Sequence, residues 1–223
     1  MLYCINTTVS GSSPEGRTIN MIRYFGKLPL SCTVAFSGGV DSVAIADFLL
    51  RGRKQVSLAF FHHGTQHSQR SLSFIEEFSK QRSVPLIISK VSREKDPRES
   101  MEEYWRNERY RFLHSIPGPV ITGHHLDDAV ETWIFTSLHG NPQVIPYSNK
   151  NVIRPFLTTP KSELREWCLR RDLTWFEDES NQDEKYMRNL IRRRIVPEAL
   201  KVNPGLHKTI IKKYKSIGAH NES

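Results

Sequence analysis

Two clusters in this sequence have residue types and spacings suited to chemistry. The first is Ser37-Gly38-Gly39-Val40-Asp41-Ser42, inside the stretch CTVAFSGGVDSVAIADFLL. Two glycines, two hydroxyls and a carboxylate fall within six residues, where a strand-like run gives way to a helical pattern. A tight turn needs one glycine; a second lets the backbone approach an anion with no Cβ in the way. Successive N–H groups at a helix start favour negative charge, and the Ser37 and Ser42 hydroxyls add donors. Asp41 is misplaced beside phosphates unless a divalent cation sits between them, and Mg²⁺ with nucleotide is the usual hard-cation arrangement. The second cluster is ITGHHLDDAVETWIF, residues 121–135. Its Asp128 and Glu131, spaced i, i+3, project from one helical face, with Asp127 beside them. Helix capping and dipole pairing would explain the same acids without a ligand.

The elements that must position these residues are visible in the hydrophobic pattern. Apolar runs at 32–36, 56–61, 84–89 and 118–123 read as buried strands. Helical spacing appears between them at 41–51, 69–82 (Leu72, Ile75, Phe78, Ser79) and 98–114, and again at 126–138. This alternation predicts a doubly wound, mostly parallel α/β sheet of Rossmann-like type. Glycine and proline punctuate 140–160, a long loop with a short strand pair, and helices resume at 160–171, 184–196 and 204–215. The expected organisation is an N-terminal extension (1–25), an α/β core (26–150) and a basic, helical C-terminal part (151–223). In such sheets ligands bind where strands turn into helices at their C-terminal ends, which is where both clusters fall.

The 223 residues carry a formal charge of +8, unevenly spread. Residues 1–149 hold 16 basic and 14 acidic side chains, or +2; residues 150–223 hold 16 and 10, or +6. A basic C-terminal third suggests a polyanionic partner, most simply nucleic acid; a solvated surface is the plainer alternative. No apolar run approaches the roughly 20 residues of a membrane span, and the N-terminus lacks the order of a secretory signal. Cys4, Cys32 and Cys168 form no CxxC, so neither a disulfide framework nor a zinc site is indicated. A cytoplasmic protein is the expectation.

The loop SGGVDS fits neither GxxxxGK[ST] nor GxGxxG. It resembles the pyrophosphate-binding loop of the N-type ATP pyrophosphatases, which split ATP between its α and β phosphates and adenylate a substrate. That resemblance is silent about the acceptor. Thiolation members of the superfamily carry sulfur on cysteines or an iron–sulfur cluster, and no cysteine pair here has ligand-like spacing. The ordered set of FHHG (61–64), ESMEEYWRNERYRFL (99–113), HHLDDAVET (124–132) and EDESNQDEKYMRNLIRRRIVP (177–197) resembles the tRNA(Ile)-lysidine synthetase family from about Thr33 to Pro197.

The resemblance implies ATP-dependent attachment of L-lysine to the wobble cytidine of an isoleucine tRNA with a CAU anticodon. ATP would activate the base carbonyl, and the lysine ε-amine would displace AMP. ATP would lie on Ser37, Gly38, Gly39, Val40, Asp41, Ser42, His63 and Gly123, with Mg²⁺ on Asp41. Asp128 and Glu131 would suit capture of cationic lysine, and Arg106 would stabilise charge on the phosphates. His124 would orient phosphate or assist proton transfer, or serve as a structural histidine in a tight turn, the role expected of His125. Arg109, Asn181, Arg188, Asn189 and Arg192 would support the site or face RNA, although 185–194 also reads as a solvated basic helix.

Three departures from the family pattern bear on the acceptor. Extra C-terminal domains usual in the family do not follow the catalytic part in this sequence. The segment after HHxxDxxET reads TSLHGNPQVIPYSNKN and keeps only Gly140 of the usual glycine pattern. Trp105 stands where a small residue is usual, and Thr65 where a leucine is. Three readings therefore remain open: a minimal lysidine synthetase, another adenylating ligase with a different RNA or small-molecule acceptor, and a silent RNA-binding relative. A homodimer is left open, and no membrane partner is expected.

Overall fold

The computed structural model describes residues 22–177 and 187–220. The first strand, β1 (Ser31–Ala35), leads through the glycine loop into α1 (Val40–Arg51), and the chain returns along β2 (Gln55–His62). Helix α2 (Gln66–Arg82), β3 (Leu86–Lys90), α3 (Met101–Ser115), β4 (Val120–Ile121) and α4 (Leu126–Leu138) continue the alternation. A short antiparallel pair, β5 (Ser148–Asn149) and β6 (Val152–Ile153), is followed by α5 (Lys161–Arg170). The strand order is β3-β2-β1-β4-β6-β5, with the first five parallel. This is the doubly wound α/β sheet expected from the alternation of strands and helices, and it runs without interruption across residue 150.

Side chains alternate across a strand, and here the two faces meet different helices. Cys32 and Val34 of β1, with Val56, Leu58 and Phe60 of β2, face a core closed by α1, α2 and α5. Ala35 and Ala59 face the other way, against Tyr110 and Leu113 of α3. Each fully buried aliphatic or aromatic side chain contributes roughly 1.5–3 kcal/mol. Asp47 on α1, fully buried, ties three helices of the first face together. It accepts from Arg51 Nε (2.8 Å), Arg82 Nη1 (2.7 Å) and Trp167 Nε1 (3.0 Å). Burial works against its charge, yet these donors hold its carboxyl below the ordinary value.

The third strand is not buried as its sequence suggests. Ile87 and Ile88 are exposed because β3 lies at the sheet edge with β2 as its one neighbour. Residues 22–25, within the expected N-terminal extension, pack on the core: Ile22 is buried, Phe25 N–H donates to Pro155 O, and Thr159 Oγ1 donates to Arg23 O.

The C-terminal part is helical, as its pattern indicates. Helix α6 (Met187–Leu190) passes into a π-helical turn, Ile191–Ile195, and then α7 (Val196–Val202) and α8 (Leu206–His220). Leu206, Ile210 and Tyr214 of α8 cover Leu126, Val130 and Ile134 of α4, and Tyr214 OH donates to Ile145 O at 2.9 Å. This packing fixes α4, whose start carries the second acidic cluster.

Candidate functional site

Strands β1 and β4 are neighbours, and the chain leaves them toward opposite edges of the sheet. That makes their C-terminal ends the topological switch point, where such sheets bind ligands. A cavity of about 340 Å³ opens there, lined by residues of both sequence clusters. Ser37, Asp41, Ser42, His63, Arg109, Gly123, His124, Asp128 and Arg188 all contribute to its wall.

The glycine loop is held from within and from a distance. Gly38 has φ +81°, a conformation that favours glycine, and an added Cβ would lie 3.1 Å from the Phe74 ring. Ser42 Oγ donates to Gly39 O at 2.9 Å, and Gly39 is the N-cap of α1 without a side-chain partner. From beyond the end of α5, Phe176 N–H donates to Gly38 O at 2.9 Å, while its ring packs at 5.2 Å from His67. Val40 is buried beneath the loop. Ser37, Asp41 and Ser42 line the cavity, while Gly38, Gly39 and Val40, expected to touch ATP, do not.

Asp41, in the first turn of α1, lies between Lys161 and His125. Its Oδ2 is 3.5 Å from Lys161 Nζ and 3.6 Å from His125 Nε2. Its Oδ1 is buried without a hydrogen-bond partner. Lys161 lies at the start of the helix expected at 160–171 but was not singled out there as a site residue; it begins α5, and its N–H donates to Asp127 Oδ2 at 2.8 Å.

The second cluster forms a reciprocal cap at the start of α4. His125 N–H donates to Asp128 Oδ2 (3.0 Å), and Asp128 N–H donates to His125 Nδ1 (3.4 Å). Burial alone would depress the His125 pKa, but Asp128, Asp41 and Asp127 around it hold it above the ordinary value. His125 is thus a buried capping residue with Asp41, Asp127 and Asp128 within 3.6 Å of its ring. Asp127 is depressed to about 2: burial opposes its charge, and the His207 side chain and the Lys161 N–H outweigh it. Its neighbour His124 hydrogen-bonds Thr122 Oγ1 through Nδ1 at 2.7 Å. Burial pushes His124 down to about 3, with Asp128 opposing and Arg109, Arg154 and Arg188 assisting. His63, whose Nδ1 is buried without a partner, is pushed down to about 4 by burial and the Arg109 charge. His63 and His124 are therefore neutral at pH 7.

Glu131 and Asp128 do not stand free. Arg192, on the π-helical turn, forks onto Glu131 with Nε to Oε1 at 2.5 Å and Nη2 to Oε2 at 3.0 Å. Nη2 also reaches Asp128 Oδ1 at 3.4 Å. Glu131 is buried and does not line the cavity; burial raises its pKa, and Arg192 works against that rise.

The arginines of α3 divide differently from the sequence reading. Arg106 is exposed, stacks on the Tyr110 ring at 5.3 Å and does not line the cavity. Arg109, one turn on, does line it, with Nε buried and unpartnered. Burial lowers the Arg109 pKa. Tyr110 also faces the cavity, its hydroxyl accepting from buried Arg154 Nη2 at 2.8 Å. Arg154 was missed; the signal was a single arginine inside the apolar run VIRPFL. Asn189 is buried on α6, and Asn181 lies outside the described residues.

Residues 20–199 match the PP-loop domain family. The chain belongs to that family. The chain is 33% identical over 193 residues to the tRNA(Ile)-lysidine synthase of Vibrio parahaemolyticus, covering 79% of this chain and 44% of that protein. The Haemophilus ducreyi protein of the same name is 29% identical over 214 residues, covering 91% and 49%. The Shigella flexneri one is 33% identical over 181 residues, covering 74% and 42%. The PP-loop chain therefore spans less than half the length of these relatives. No helix among its described residues is long and apolar enough to cross a membrane.

Proposed function

We propose that this PP-loop protein uses ATP to adenylate the wobble cytidine of an isoleucine tRNA with a CAU anticodon and then joins lysine to it. The observation that carries this reading is that Asp41 of the phosphate loop and Asp128 of the acid pair line one cavity. A nucleotide phosphate and a cationic amine would meet there. The base carbonyl oxygen attacks the α-phosphorus and pyrophosphate leaves; the lysine amine then attacks the activated ring carbon and AMP leaves. The proton released by the amine goes to solvent or to a neutral cavity histidine.

The chain's own groups have definable tasks. N–H groups of the α1 first turn and the Ser37 and Ser42 hydroxyls bind phosphate oxygens. Arg109 and Arg188 supply charge at the cavity wall. His124, neutral in the free protein, donates or accepts a hydrogen bond according to its tautomer. The orphaned Asp41 Oδ1 fits a divalent ion, and Mg²⁺ needs only one or two carboxylates beside substrate phosphates. When bound, that ion would neutralise phosphate charge. Among the described residues no group of three or more His, Cys, Asp or Glu could hold a metal by itself, which agrees with an ion shared with the nucleotide.

A sulfur-carrying alternative draws no support from the described cysteines. Burial pushes Cys32 up to about 11 and Cys168 up to about 12, so both stay protonated. The altered segment 136–151 favours, as a second reading, an adenylating ligase with another RNA acceptor. Release of AMP and pyrophosphate from ATP, with lysine and with or without the tRNA, separates these readings. Stimulation by the CAU isoleucine tRNA is expected. ATP cleavage indifferent to that tRNA would sink the lysidine reading, and no cleavage under any condition would leave an RNA-binding relative.

A further inference from the structure

The two acids on α4, Asp128 and Glu131, need a positive partner whether or not a substrate is present, because a buried charge left unpaired is costly. Arg192 supplies it. Its fork onto Glu131 and its reach to Asp128 use both Glu131 oxygens and Asp128 Oδ1, while Asp128 Oδ2 accepts the His125 N–H. Every oxygen of the pair thus has a donor, and an arriving ammonium, with three donors of its own, finds none idle. The guanidinium is also the outer member of the group: the Arg192 side chain is 34% exposed, against 4% for Glu131 and 14% for Asp128. The turn that carries it is π-helical, a rare form that recurs at functional sites. One turn earlier Arg188 lines the cavity.

We infer that Arg192 is the resting counter-cation of the acid pair, and that lysine binds by exchanging with it, so that Arg192 sets the affinity and charge selectivity for the amine. This rests on the reading of Asp128 and Glu131 as the lysine site. A planar guanidinium fork binds a carboxylate more tightly than a point-charge ammonium does. The resident arginine therefore holds lysine affinity down and rejects amines that bring no charge. Its partly exposed side chain can swing outward when an ammonium takes its place.

The sign of one measurement separates this role from a merely structural one. Lysine binding is measured by calorimetry on the full chain, without ATP or RNA, for the wild type, Arg192→Ala and Arg192→Gln. Exchange requires the Ala variant to bind lysine more tightly, by about tenfold, the factor given by about 1.4 kcal/mol of competition removed. Methylguanidinium should then compete with lysine in that variant. Arg192→Gln keeps a donor to Glu131 without the charge, and tests the same competition if the Ala variant does not fold. Weaker lysine binding in folded variants than in the wild type would overturn the exchange and leave the lysine site standing. No lysine binding to any of the three would overturn both.

Discussion

The environment of Asp41 gives the most direct handle on the chemistry at the scale of single residues. One of its oxygens faces Lys161 and His125 and the other has no partner. If that oxygen takes the ion that accompanies the nucleotide, Asp41→Asn should lower pyrophosphate release by at least about 100-fold, roughly the loss of one electrostatic group at such a site. Release unchanged in the variant would remove the metal role. Two of the cavity histidines offer a second test. Proton NMR should find His63 titrating near 4 and His124 near 3 in the free protein, and a bound triphosphate should raise both. A nearby anion stabilises the imidazolium. Much of this candidate site was legible in the sequence, because the glycine loop and the spacing of Asp128 and Glu131 are local patterns. Lys161, Arg154 and the Arg192 fork were not, since each depends on a partner brought from a distant element. Arg106 and Arg109 share one helix, and only packing decides which of them turns toward the cavity.

The elements carry consequences of their own. Gly38 occupies left-handed space, and a methyl there meets Phe74, so Gly38→Ala should cost roughly 1–2 kcal/mol of stability and weaken ATP binding together with it. Urea denaturation and nucleotide titration of the same variant check both effects. Asn151 serves a similar structural purpose on the other side of the sheet. Its Nδ2 lies within hydrogen-bond distance of the carbonyls of Leu113, Ile116 and Gly118, closing the end of α3 against β4. Asn151→Ala should cost about 1–3 kcal/mol by leaving these carbonyls short of a donor, with the ATP requirement unchanged. The strand–helix alternation of the core was readable because its apolar runs and helical spacings are strong. The edge position of β3 was not, because a run such as Leu86-Ile87-Ile88 has the same composition at the edge as in the centre. Thr65, which stands where the family pattern has a leucine, has a local reason in the fold: its side chain caps α2 by accepting the Ser68 N–H at 3.1 Å.

The whole molecule responds to acid through the groups that folding keeps from charging. His63 and His124 have folded-state values of about 4 and about 3, against 6.5 in the open chain. Below 6.5 these two histidines bind more protons in the unfolded chain than in the folded one, so their contribution to stability falls as pH drops toward 4. Asp127, depressed to about 2, adds a further loss as pH falls below its ordinary value of 3.8. The melting temperature should therefore be lower at pH 5 than at pH 7.5, and a triphosphate should offset part of the difference; a flat profile would contradict the buried neutral histidines. Net charge acts at the same scale. Lys208, Lys212 and Lys215 are exposed along α8. Replacing them by glutamate should weaken tRNA binding and flatten its salt dependence, by about 0.7 in slope for each phosphate no longer neutralised. One bond described above gives access to motion. The carbonyl of Gly38 is held by the amide of Phe176, so that amide proton can exchange with solvent only when the glycine loop and the segment that follows α5 part company. Its exchange lifetime is a clock for the loop. Nucleotide should slow that clock, and a variant such as Gly38→Ala should run it fast, even under conditions where no product forms.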